Sequence, residues 1–89
     1  MTGYRKVVLR EKELESPQET HKLLATELKF PEYYGANLDA LEDSLEDIRE
    51  PTRIVIKRSK SCYKPWFDGF EEVIRDVALQ SCYLGCIVR

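Results

Sequence analysis

Eighty-nine residues are enough for one hydrophobic core and no more, so the chain is expected to form a single domain over residues 1–89. With 43% hydrophobic and 34% charged residues it lies well outside the composition of disordered chains, and no run approaches the ~20 apolar residues that span a bilayer. The net charge of −2 conceals a segregated distribution, since residues 32–50 sum to −6 and the rest to +4, and such a pattern speaks to partners, not to fold.

The start, MTGYRKVVLREKELES, has no apolar segment flanked by small residues, so no secretory leader is expected and the chain is expected in the cytoplasm. VVL at 7–9 is too short for a helix and reads as a first strand. Ser16 as N-cap, Pro17 at the first helical position and Glu19 at the third then form a capping box for a first helix. Leu24 and Leu28 lie one turn apart on its buried side, and it is expected to stop near Phe30, because Pro31 disfavours helical geometry in the residue before it. EYYG makes a loop in which Gly35 is free to take a positive φ. Two consecutive tyrosines in a short loop cannot both point inward, so at least one of Tyr33 and Tyr34 is expected to present its ring to solvent.

Asn37 is a good N-cap for a second helix over residues 38–48, and Pro51 closes that region. IVI at 54–56 reads as a second strand, SKSCYKP as an irregular connection, and Phe67, Phe70, Val73, Ile74 and Val77 as one face of a last helix before a strand in YLGCIV at 83–88. The three apolar runs do not alternate cleanly, which suits strands covered on both faces in a small parallel sheet. The order βαα–βαβ makes the fold class α/β.

The second helix carries the unusual feature. At about 100° per residue Leu38, Leu41, Leu45 and Ile48 share one arc turned to the core, while Asp39, Glu42, Asp43, Glu46 and Asp47 fill an opposite arc of about 140°. Asp39/Asp43, Asp43/Asp47 and Glu42/Glu46 are like-charge pairs one turn apart, each costing about 0.2–0.5 kcal/mol. Glu46 and Asp47 also stand at the end where the helix dipole disfavours anions. A merely solvated face is the plain alternative. A calcium loop lacks its D-x-D-x-D-G spacing, and an open helix face offers paired carboxylates no desolvated cleft for catalysis. What remains is a docking surface for a strongly basic partner, with a tyrosine as aromatic anchor beside it.

The stretch PEYYGANLDALEDSL resembles the signature of the barstar family, intracellular inhibitors of a secreted bacterial ribonuclease, and VIRDVALQSC resembles that family's last helix and terminal cysteine. The similarity covers residues 4–50 and 67–88. It implies a three-stranded parallel sheet packed against three to four helices, and a loop and second helix that plug the active site of the nuclease. Asp43 matches the aspartate that sits where the substrate phosphate would, and Tyr33 the tyrosine that packs on the catalytic histidine. Asp39 matches a second aspartate that pairs with basic groups, Gly35 and Asn37 match loop residues at the contact, and Asp76 stands where the family has a glutamate facing the partner. Leu38, Glu42 and Glu46 complete the expected face, with Glu42 in place of a family tryptophan and Ser44 in place of a cysteine. The segment between the second strand and the last helix is shorter than in the family, so a third small helix there is expected to be cut back or missing. The implied partner is an extracellular, guanyl-preferring microbial ribonuclease in a one-to-one complex. The free chain is expected to be a monomer without cofactor, metal, membrane or direct nucleic-acid binding. A barstar-like module with a non-nuclease partner is the alternative.

Cys62, Cys82 and Cys86 lack the pairing of a zinc site and read as small half-buried thiols. His21 is the single histidine and has no nucleophile near it in sequence, so no enzyme is expected. A rival signal is TRIVIKRSKSCYKPWF, which could place Lys57, Arg58, Lys60 and Lys64 on phosphates with Tyr63 or Trp66 stacking on bases. The plainer reading has Trp66 and Phe67 capping the core while the lysines solubilise a loop, and a pI near 5.4 favours it.

Overall fold

The computed structural model describes residues 3–89; the leader expectation rests partly on Met1 and Thr2, which lie outside the described residues. Strand β1 (Arg5–Arg10) runs into a 3₁₀ turn at Glu11–Glu13, followed by α1 (Pro17–Leu28), α2 (Leu38–Glu46), β2 (Thr52–Lys57), α3 (Phe67–Gln80) and β3 (Leu84–Val88). Both strand pairs are parallel, in the order β1-β2-β3, with Val8 opposite Val55 and Val55 opposite Ile87. The α/β reading therefore holds with three α-helices, and residues 58–66 form turns with no third small helix.

Two successive crossovers step the same way along this sheet. Right-handed connections, the near-universal hand for such units, then place their helices on the same face. The burial agrees, since Val7, Leu9, Ile54, Ile56 and Leu84 are at most 4% exposed, whereas Lys6, Arg53, Lys57 and Gly85 point away and are exposed. The expected covering of both faces holds only in part, since the helices take one face, while on the other Val55 is 3% exposed and Val8 and Ile87 are half-buried. The apolar runs fail to alternate because their open-face members, Val8, Val55 and Ile87, are apolar too and line up in register.

The covered face packs against Leu24 and Leu28 of α1, Leu41 and Leu45 of α2, and Phe67, Phe70 and Ile74 of α3 in one cluster. Full burial of each such side chain contributes about 1.5–3 kcal/mol. Helix α1 begins as its sequence indicates, with the Ser16 hydroxyl accepting the Glu19 N–H at 3.1 Å; the Glu19 carboxylate accepts from the amide of Glu15 at 2.8 Å, one residue upstream of the N-cap. The helix ends at Leu28, two residues short of the limit set by Pro31, because Lys29 turns left-handed (φ 57°) and the Phe30 N–H closes on the Ala25 carbonyl at 2.9 Å. In the following loop the positive φ falls on Ala36 (52°), not on Gly35. Gly35 serves instead through its missing side chain, since a Cβ there would stand 3.3 Å from the Asn37 amide nitrogen that flanks the next helix cap.

The connection from β2 to α3 is held by one buried carboxylate. Glu11 is fully shielded from solvent and accepts from Arg58 Nε at 3.0 Å, Arg58 Nη2 at 3.2 Å, and the amides of Ser59 at 2.8 Å and Lys64 at 2.6 Å. Burial by itself would push this carboxyl up, but the bonds from Arg58 and the two amides outweigh it and hold it below its ordinary value of 4.5. Lys64 Nζ donates to the Glu11 carbonyl at 2.6 Å, Arg58 also pairs with Asp68 and Glu71, and the Tyr63 hydroxyl donates to Asp68. Trp66 lies against Phe67 and Phe70, as the plainer reading of this stretch requires, while Lys64 is a structural tie and not merely a solubilising charge.

Candidate functional site

Asn37 starts α2 from an extended conformation, its Oδ1 accepting the Ala40 N–H at 2.8 Å. Leu41 and Leu45 are fully buried and Ile48 half-buried, so the apolar arc faces the core at its centre. Its first member, Leu38, stays at the boundary and leans on α3, where a Cβ on Gly69 would stand only 2.8 Å from Leu38 Cδ1. The glycine at 69 thus lets the beginning of α2 approach α3.

Asp39, Glu42, Asp43, Glu46 and Asp47 are all exposed, and none has an ion-pair partner among the described residues. Arg49, the nearest base, directs Nη1 to the carbonyl oxygens of Glu46 at 2.7 Å and Ile48 at 3.0 Å. It caps the end of the helix and leaves the acidic arc unneutralised.

The loop before the helix separates its two tyrosines. A turn closed by the Tyr34 N–H on the Pro31 carbonyl at 3.0 Å leaves Tyr33 87% exposed. Tyr34 folds inward, its ring on Phe30 and its hydroxyl 2.7 Å from Nδ1 of His21, which in turn lies on Phe70. His21 is therefore the support under the tyrosine loop, a role not foreseen from the sequence. Its spacing three residues before Leu24 and seven before Leu28 was the available signal, because that spacing marks the buried stripe of a helix.

Burial depresses the His21 imidazole below its ordinary 6.5 and raises the Tyr34 phenol to about 12. The folded state thus binds fewer protons on His21 than the unfolded state. Its contribution to stability is fully present above pH 6.5 and is lost as the pH falls through the depressed folded value. Thermal denaturation is expected to show a falling midpoint on acidification below pH 6.5, and His21→Phe is expected to remove that slope. An unchanged slope in the variant would assign the effect to other groups.

Between loop and helix lies a cleft of about 660 Å³ with Tyr33, Tyr34, Gly35, Asp43, Asp47 and Glu50 along its walls, Glu50 being paired with Arg5 at 2.9 Å. The structure brings Tyr33, Gly35 and Asp43 to this one cleft. Asp39 and Glu42 continue the exposed arc, Asn37 is engaged as the cap, and Glu46 borders a separate depression with Arg49 and Tyr83. Asp76 is exposed on α3 in a third depression beside Arg58, Glu71 and Arg75, so it does not line the Tyr33–Asp43 cleft.

All three cysteines are unpaired; Cys62 and Cys86 are half-buried, but Cys82 is exposed, contrary to the sequence reading. Burial pushes the Cys86 thiol up, which lowers its reactive thiolate fraction at neutral pH. Among the described residues no three His, Cys, Asp or Glu side chains come together in a metal-holding group, and no helix is long and apolar enough to cross a membrane.

Fold and site together define a small α/β domain with an unbalanced acidic surface, a helix of one-signed charge beside a projecting tyrosine. The family model described as "Barstar (barnase inhibitor)" matches residues 4–81, running through the β2–α3 connection, and the chain belongs to the barstar family. A Bacillus subtilis (strain 168) protein named "Putative ribonuclease inhibitor YrdF" is 34% identical over 76 residues, covering 81% of this chain and 84% of that protein.

Proposed function

We propose that this chain is a non-catalytic, cytoplasmic inhibitor of a barnase-like, guanyl-preferring ribonuclease that is secreted by its host, forming a one-to-one complex. The observation that carries this reading is the row of five unneutralised carboxylates on a capped helix next to Tyr33. A ribonuclease cleft is built to bind phosphates and is lined with cationic donors. Carboxylates fixed on a helix compete with RNA for those donors without presenting a bond that the enzyme can cleave. In this reading Asp43 occupies the place of the phosphate, Tyr33 packs on the catalytic histidine, and Asp39, Glu42 and Glu46 supply the surrounding field. Gly35 and Asn37 hold the loop at the contact, Leu38 lies at its rim, and Asp76 is peripheral. Glu42, standing where the family has a tryptophan, tunes the face toward a nuclease with a more basic rim.

Membership of the barstar family and the name of the Bacillus subtilis relative support the ribonuclease-inhibitor part of this reading. The test is RNA cleavage by a panel of barnase-like enzymes, with and without the protein, at two salt concentrations. Stoichiometric inhibition is expected, with association slowed by salt because the acidic face steers the encounter, a rule for which barnase and barstar are themselves a standard example. Failure to inhibit any member of the panel at micromolar excess overturns the proposal.

A further inference from the structure

The sheet face left uncovered by the helices carries charge of the opposite sign to α2. In register across it, Lys6, Arg53 and Gly85 form one row, Val8, Val55 and Ile87 the next, and Arg10 and Lys57 a third. No acidic residue belongs to these rows. The two cationic rows are four residues apart along the strands, about 13 Å at the usual rise. Lys6, Arg53 and Lys57 are exposed and have no ion-pair partner among the described residues; Arg10 is held loosely, 3.8 Å from the Glu13 carboxylate. The Arg53 guanidinium lies over the ring of Tyr4 at 4.6 Å from its centroid, and Tyr4 is 51% exposed.

The basic run at 53–64 suggested a nucleic-acid surface in a different place. Arg58 and Lys64 are committed to Glu11, Tyr63 to Asp68, and Trp66 to the core. Strand alternation instead sends Arg53 and Lys57 to the open face, where β1 adds Lys6 and Arg10. A pI near 5.4 averages this face with the acidic helix. A partner responds to the local field, which at physiological salt reaches only about 8 Å.

We propose that the open sheet face binds single-stranded RNA. The two cationic rows offer phosphate contacts, and the exposed Tyr4 ring with the Arg53 guanidinium over it offers a platform for a base. Between the rows Val55 is buried, and the half-buried Val8 and Ile87 beside it offer a limited apolar contact to a ribose or base edge. The acidic helix of a second copy would satisfy the cations but would leave the Arg53–Tyr4 pair without a flat partner and would press carboxylates against the half-buried Val8 and Ile87, desolvating them without a partner. That mismatch favours the nucleic acid. The face looks away from the acidic arc of α2, so RNA and a nuclease would not compete for one surface, and the inhibitor could be retained where RNA is under attack.

The test is fluorescence anisotropy of a labelled single-stranded RNA oligonucleotide titrated with the full chain, the Arg53→Glu/Lys57→Glu variant and Asp43→Ala, across a salt series. Because both cations are exposed side chains, the double variant is expected to keep its circular dichroism spectrum. Salt-sensitive binding by the parent chain is expected, weakened about tenfold or more in the double variant, with the slope of log affinity on log salt flattened by about two. Asp43→Ala is expected to retain binding. No binding at low salt up to about 10⁻⁴ M protein, the range of ordinary non-specific affinity, overturns the proposal, as does equal binding by the double variant. Sedimentation showing self-association abolished by the double variant, without RNA binding, would assign the face to a second copy instead.

Discussion

Asp43→Ala is expected to weaken inhibition of a susceptible ribonuclease by about 3–5 kcal/mol, roughly two to three and a half orders of magnitude in the inhibition constant. In the free protein Asp43 is exposed and has no ion-pair partner among the described residues, so its removal strands nothing within the chain. In the proposed complex the loss falls on the nuclease, whose buried cations would keep their desolvation cost without a compensating anion. The same substitution relieves like-charge pairs with Asp39 and Asp47, each worth about 0.2–0.5 kcal/mol. Inhibition should therefore fall while the thermal midpoint holds or rises slightly. Asp43→Asn separates shape from charge, since it keeps the side-chain outline and an acceptor but not the anion. Glu46→Ala, at a separate depression, is expected to behave like an exposed rim charge and to cost no more than about 1 kcal/mol. The measurements are inhibition constants from RNA cleavage alongside thermal denaturation. An Asp43→Ala protein that inhibits as well as its parent would dismiss phosphate mimicry by this carboxylate, even if inhibition itself is real.

Features decided within one turn of chain were legible from the sequence. The caps at Ser16 and Asn37 rest on bonds to residues three positions on, and the Leu41–Leu45 stripe follows from helix period. That one of the two tyrosines would project was also legible. The loop pattern alone does not say which one, although the family resemblance points to Tyr33; the choice is made by His21, thirteen residues before Tyr34, and by Phe30 and Phe70. The positive φ was assigned to Gly35 on residue type alone, whereas the geometry entering the Asn37 cap places it on Ala36. The helix-free sheet face was hidden because Val8, Val55 and Ile87 make each strand read as continuously apolar, and only strand order and register show that they form one row, buried at Val55 and half-buried at its two ends. Of the candidate site, Tyr33, Gly35 and Asp43 converge on one cleft, while Asp76, matched through resemblance of its helix, lines a different depression. Sequence position along α3 does not fix which way that helix is turned relative to α2.

Glu11 was the least legible residue, because a glutamate following a strand looks like any solvated turn residue and its partners lie 47 to 53 positions onward. Its replacement is expected to cause the largest loss of stability outside the apolar core. Glu11→Ala removes the acceptor of two backbone amides and two guanidinium nitrogens from a site sealed from solvent. Arg58 would keep Asp68 and Glu71, which places the cost toward the lower end of the range for breaking a buried pair, about 3 kcal/mol. For a chain this long, with a total of about 4–13 kcal/mol, that loss lowers the thermal midpoint by roughly 12 °C or more. Glu11→Gln, which retains one acceptor oxygen, should fall between. Because the folded carboxyl lies below 4.5, its contribution is present above that pH and is lost as the pH falls through the folded value, so parent and variant should converge on acidification. Urea unfolding at neutral and acidic pH measures both effects. A neutral-pH difference under about 0.5 kcal/mol, the scale of an ordinary surface substitution, would mean that the network does not hold the connection. Glu11 makes no hydrogen bond to α2 or the tyrosine loop, so the variant, where still folded, should inhibit a susceptible ribonuclease as its parent does. Asp43→Ala and Glu11→Ala are thus expected to fail in opposite assays, which would separate a carboxylate proposed to serve a partner from one that holds the fold.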